Sequence, residues 1–174
     1  QFGVRGGGNR KGDAVSECLS SRPPAPETVR GTWRSIRLRQ RSRRLLDGGE
    51  DDDRLYGGAG NDSLVTHAGD DTIDAGTGDD TVFGGDDNDQ LQSADGANML
   101  SGGTGNDSVT GGIGNDELVG GTGNDTLWGR AGDDSLDGGD GSDDLHGEEG
   151  ADRLEAGTGA DTVDGGAGTD MLVH

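Results

Sequence analysis

The sequence is poor in almost everything an ordinary protein interior is built from. Of its 174 residues, 26% are hydrophobic and 3% aromatic, so a conventional globular core is excluded. Cys18 is the single cysteine, which rules out an internal disulfide and any cysteine-based metal centre. Proline is confined to Pro23, Pro24 and Pro26. No apolar run reaches the length of a membrane-spanning helix, and no signal-peptide core is visible. Neither an H-E-x-x-H zinc motif nor a G-x-S-x-G nucleophile elbow occurs, and no P-loop does. The chain is therefore expected not to be an enzyme, any catalytic domain belonging to a longer parent protein.

Glycine and acid are what the chain has in excess. There are 38 glycines and a formal net charge of −21. Glycine maximises the backbone entropy that folding must overcome. Low hydrophobicity combined with high net charge marks a chain that stays unfolded unaided. Something besides a core must stabilise it.

The charge also divides the chain near Asp47. Eleven basic and three acidic residues precede that position, whereas three basic and 32 acidic residues follow from it. Residues 1–46 read as a basic linker rich in Gly, Pro and Arg, expected to be disordered, with at most a short helix over 27–46. Val29, Trp33 and Ile36 carry the helical spacing there, ahead of Arg37, Arg39, Arg41, Arg43 and Arg44.

From Gly48 to Val173 the chain is one nonapeptide repeated 14 times without insertion or deletion. Segments such as GGTGNDSVT (102–110), GGIGNDELV (111–119) and GGTGNDTLW (120–128) show the pattern at its clearest. The eighth position is aliphatic throughout, from Leu55 to Leu172. The sixth is Asp except at Asn98, and the fourth is Gly except at Asp51 and Asp87. The first six residues of each segment suit a tight turn, and the last three a minimal strand with its central side chain inward. Two segments per coil predict an all-β, right-handed parallel solenoid of about seven coils spanning 47–174, with segments i and i+2 stacked on one edge.

This pattern, GGxGxDx-aliphatic-x, resembles the RTX calcium-binding nonapeptide, whose fold is a parallel β-roll. The resemblance covers about three quarters of the chain. It implies Ca²⁺ as the bound ion, held between stacked turns by backbone carbonyls and sixth-position carboxylates. The stacking geometry allows up to about 12 ions for 14 segments. Carried over residue by residue, the ligands expected are Asp53, Asp62, Asp71, Asp80, Asp89, Asp107, Asp116, Asp125, Asp134, Asp143, Asp152, Asp161 and Asp170. The turn glycines Gly105, Gly114, Gly123 and Gly132 join them in the best-formed stretch. Segment six (93–101), with Ser93, Ala94 and Asn98, is expected to bind poorly, and Thr66, His67, Arg130 and Glu148 mark lesser departures.

The resemblance also implies a secreted, extracellular parent (toxin, hydrolase or adhesin), exported by type I secretion, with calcium-triggered folding as this region's task. Its expected partners are calcium ions and the parent's other domains, with no nucleic acid or membrane contact. An alternative is an ice-binding or adhesive face. Thr104, Asn106, Thr122 and Asn124 stack on one edge, although Asp86 and Asp140 stand where that array would continue.

Overall fold

A computed structural model describes residues 14–16, 27–30 and 36–38 as backbone, and residues 43–173 in full. Every regular element among them is a β-strand. Strands alternate along the chain between two parallel sheets, one of ten strands and one of nine, that face each other across the core; Ala167–Gly168 is the exception and joins the sheet of the strand before it. From Arg44 onward the register is constant: Leu100 pairs with Leu118, and Leu118 with Leu136, so each residue stacks on the one 18 positions further along; upstream, Glu27 pairs with Arg44 and Ile36 with Leu55, off that spacing. Two nonamers therefore make one coil, as the periodicity predicts.

The core is a single file of aliphatic side chains per sheet. Leu55, Leu64, Ile73, Val82, Leu91, Leu100, Val109, Leu118, Leu127, Leu136, Leu145 and Leu154 are all buried. Val163 packs partly against them, and Leu172 is 48% exposed.

Strands run longer than the three residues that the sequence suggests. Ser108–Ile113 and Glu117–Thr122, for example, extend from position seven through position three of the following segment. The glycine pair is thus part of the ladder, with Gly103 paired to Gly121. The second glycine takes a positive φ, 120° at Gly103 and 116° at Gly121, as does the fourth-position glycine. Four non-glycine residues adopt the same conformation: Asp51 (81°), Asp87 (77°), Arg130 (83°) and Glu148 (75°). All four stand where the repeat calls for glycine. His67 and Ala94 also replace the second glycine but do not adopt it. Where they fall, the strands stop short, at Ser63–Val65 and Gln90–Gln92. A strained residue is tolerated when both neighbouring coils hold it in place.

The ladder also reaches further upstream than Asp47. Strands β1 (Ala14–Ser16), β2 (Glu27–Arg30), β3 (Ile36–Leu38) and β4 (Arg44–Asp47) precede β5 (Arg54–Ala59). β2 pairs with β4 and β3 with β5, both in parallel. The short helix expected over 27–46 is thus replaced by strand wherever the backbone is described. Three-residue and four-residue stretches that find a waiting sheet edge satisfy their amides there, which an isolated helical turn cannot do. Leu46, fully buried, stacks on Leu64 and starts the aliphatic file one segment early. The disorder expected for the rest of 1–42, together with Trp33 and Cys18, lies outside the described residues.

Fourth-position glycines are fixed by contact as well as by φ. A Cβ on Gly123 would overlap the carbonyl oxygen of Gly105 in the coil before it. Gly123→Ala should therefore lower the melting temperature in saturating calcium. Asp87→Gly, which relieves a positive φ, should raise stability by about 1 kcal/mol. Thermal melts followed by circular dichroism measure both.

Candidate metal centre

Alternation along the strand decides where the carboxylates go. Positions six, eight and one fall on the inward side, so each sixth-position Asp enters the corner of the core beside the aliphatic file. From Asp53 to Asp152 these side chains are 1–3% exposed. One oxygen of each is satisfied: Oδ1 of Asp125 accepts the amide N–H of Asp107 at 2.8 Å, and Oδ1 of Asp143 accepts that of Asp125 at 2.8 Å. The even column repeats this, Asp116 N–H donating to Asp134 Oδ1 at 2.8 Å.

The other oxygen is orphaned. Oδ2 has no hydrogen-bond partner in Asp53, Asp62, Asp71, Asp80, Asp89, Asp107, Asp116, Asp125, Asp134, Asp143 or Asp152. A buried carboxylate oxygen without a partner is costly; Asp62 Oδ2 has the Arg44 guanidinium 3.7 Å away, and the other ten, in register, suit a bound cation. Burial raises the carboxyls of Asp53, Asp80 and Asp89 to about 7, and those of Asp62, Asp125 and Asp134 to about 6. Asp71, Asp107, Asp116, Asp143 and Asp152 are raised for the same reason.

A second oxygen flanks the Oδ2 of Asp62, Asp89, Asp125, Asp134, Asp143 and Asp152. A Cβ placed on Gly138 would lie 2.6 Å from Asp143 Oδ2 and 2.6 Å from the carbonyl oxygen of Ala156, one coil on. The same carboxylate–carbonyl pairing brackets Gly84, Gly120, Gly129 and Gly147. Only glycine leaves this space open. Among the described residues no three carboxylate, imidazole or thiolate side chains gather at one point. The donor set is therefore carboxylate plus backbone carbonyl, all oxygen, on a peptide frame that can adjust. Such a set fits Ca²⁺ better than Mg²⁺, which demands a tight octahedron, or Zn²⁺, which favours nitrogen and sulfur.

Of the expected ligands, Asp161 and Asp170 continue the ladder, accepting from Asp143 at 3.0 Å and Asp152 at 3.1 Å, but are only partly buried. Gly105, Gly114, Gly123 and Gly132 occupy the outer turn, where each N–H donates to a third-position carbonyl of the following coil. The carbonyls flanking the orphaned Oδ2 belong instead to position one, which sequence reasoning missed. The signal was present in the glycine that opens most segments. Also missed was an outer ladder at position five. Asn124 N–H donates to Asn106 Oδ1 (2.9 Å), and Asn106 N–H to Asn88 Oδ1 (2.8 Å). In segment six, Asn98 Nδ2 donates to Asp116 Oδ1 (2.9 Å), the oxygen its own amide already reaches, so Asp116 Oδ2 has no hydrogen-bond partner there either. The Thr104 hydroxyl is engaged by Asp86 (3.0 Å), and Asn106 and Asn124 by their ladder, so those groups face their own neighbours.

A family model for the RTX calcium-binding nonapeptide repeat, in four copies, matches residues 47–82, 56–91, 65–100, 92–127, 110–145 and 137–172. The chain belongs to the RTX calcium-binding nonapeptide repeat family. No curated protein matches it significantly. Among the described residues of this RTX chain, no helix is long and apolar enough to cross a membrane.

Two outcomes follow from the buried columns. The raised carboxyls hold their protons more tightly folded than unfolded, where the ordinary value is 3.8. Their stabilising contribution is complete below that value and lost as pH rises through about 6 to 7. In EDTA, β signal should therefore grow as pH falls from about 8 to about 4, and calcium uptake near neutrality should release protons. Substitution tests the column directly. Asn98→Asp should lower the calcium midpoint of folding while weakening the fold in EDTA, and Asp125→Asn should raise the midpoint. Calcium titrations followed by circular dichroism read both.

Proposed function

We propose that this chain is the calcium-responsive folding region of a larger secreted protein, and that it carries no catalysis itself. The observation that carries the reading is the file of buried, unpartnered Oδ2 atoms in register along both edges. Unbound, these carboxylates oppose the fold that buries them. Bound calcium supplies the positive charge that lets both edges close. Asp107, Asp116, Asp125, Asp134 and Asp143 hold the ions in the most regular stretch, with first-position carbonyls of the next coil completing each site.

A region so built stays unfolded where calcium is scarce and folds where it is abundant. Extracellular calcium modules work at dissociation constants of about 10⁻⁴–10⁻³ M, the range a switch between cytosol and exterior needs. An unfolded chain of high net charge is suited to passage through a narrow export channel, and type I secretion of the parent fits this behaviour. Folding outside would then order the neighbouring parent domain. Circular dichroism of the chain should show disorder in EDTA and β structure in millimolar Ca²⁺, with Mg²⁺ at equal concentration ineffective. Equal β signal in EDTA and calcium at neutral pH would overturn the proposal.

A further inference from the structure

The register extends one nonamer upstream of the regular repeat, and what occupies its sixth position is a cation. Leu46 stacks on Leu64, an eighth-position residue, so Arg44 stands on Asp62, a sixth-position one. Arg44 keeps the backbone role of a sixth-position residue and its inward direction, but brings a donor where the others bring an acceptor. Its amide N–H donates to Asp62 Oδ1 at 2.8 Å, the bond that ties each such residue to the next coil. Its side chain turns inward to the corner and is 1% exposed, against 0% for that of Asp62.

The guanidinium then reaches one oxygen of each kind that lines the column, a first-position carbonyl and a sixth-position Oδ2. Nη1 donates to the carbonyl of Gly57, the first-position residue of the coil ahead. The same nitrogen lies 3.7 Å from Asp62 Oδ2, within ion-pair range. Downstream, the Oδ2 of one coil lies beside the first-position carbonyl of the next, Asp62 Oδ2 beside Ala75 and Asp143 Oδ2 beside Ala156, and the Gly57 carbonyl is the counterpart for the rung of Arg44. At one further rung a neutral hydroxyl reaches such a carbonyl, and at another an amide adds a second bond to an Oδ1 that is already satisfied. Thr66 Oγ1 donates to the Gly84 carbonyl at 2.6 Å, and Asn98 Nδ2 donates to Asp116 Oδ1 at 2.9 Å. Only Arg44 brings a full charge.

We propose that the Arg44 guanidinium takes the place of a calcium ion at the first rung of the even column. This inference rests on the calcium reading above. The rung between Arg44 and Asp62 closes without metal, and gives the column one covalently tethered cation that no chelator removes. It also offers the ion-dependent coils a preformed neighbour to stack on, which is the limiting need in a linear array.

The test uses the full chain, with bound Ca²⁺ counted by equilibrium dialysis at saturation and the folding midpoint followed by circular dichroism. Arg44→Asp restores a carboxylate beside the Gly57 carbonyl and Asp62 Oδ2, and should bind one more ion per chain than the wild type. Arg44→Met keeps the bulk without the charge; it should add no ion and raise the calcium midpoint about twofold, because one partner of a buried pair is lost. Arg44→Lys should stay close to wild type. An unchanged ion count in Arg44→Asp, with an unchanged midpoint in Arg44→Met, would show that Arg44 merely fills space. If wild type and variants alike bind no calcium, the functional reading itself falls and this inference with it.

Discussion

Repulsion between like charges is the constraint on which this structure turns. The β ladder fixes successive coils about 4.8 Å apart, so sixth-position carboxylates are held at that spacing whatever their charge. At about 5 Å and an effective dielectric near 20, each adjacent charged pair opposes folding by about 3 kcal/mol. A buried Leu or Val contributes about 1.5–3 kcal/mol, and each nonamer supplies one. The two effects are of the same size. A cation placed in the column converts the larger liability into an attraction, and the same residues then hold the coils together. On the proposed reading, fold and ion are in this sense one equilibrium.

Much of this was legible in the residues. The eighth-position aliphatics gave the core, and the nine-residue phase gave the stacking of Leu100 on Leu118. The alternation of strand faces places Asp125 inward, although composition alone suggests that a carboxylate belongs outside. The side of the column on which the carbonyls lie was harder to read. Position four looked like the ligand because its glycine is nearly invariant along the chain, yet Gly123 is demanded by contact with Gly105 and by positive φ. Position one carries the carbonyls because it follows the eighth on the inward face. The upstream strands were hidden for another reason. The nonamer 39–47 matches the repeat only at Leu46, and the partners of Arg44 and Leu46 lie 18 residues away, where no local propensity reports them.

Departures from the repeat are handled in two ways. Arg130 and Glu148 accept the positive φ of the glycines they replace, and pair with each other across the ladder at 3.4 Å. Arg130 also lies over the Trp128 ring, which stacks on His146 with centroids 4.0 Å apart. Cross-strand contacts on the outer face thus offset local strain. His67 and Ala94 refuse the conformation, and the strand ends early instead. The cost is a shorter ladder to the adjoining coils, Gln90–Gln92 pairing over three residues with Thr72–Asp74.

The outer ladder at position five is unequal on the two edges. On one edge it runs without a gap from Asp52 through Asp70, Asn88, Asn106, Asn124 and Ser142 to Ala160. On the other, Ala97 receives no further turn because its methyl offers no acceptor, and the chain of bonds resumes only at Asn115. A rod laced on one side and cut on the other has an anisotropic bending stiffness. It opens most easily on the cut edge, with creases at Ala97 and again at Ala151, whose methyl likewise offers the next turn no acceptor.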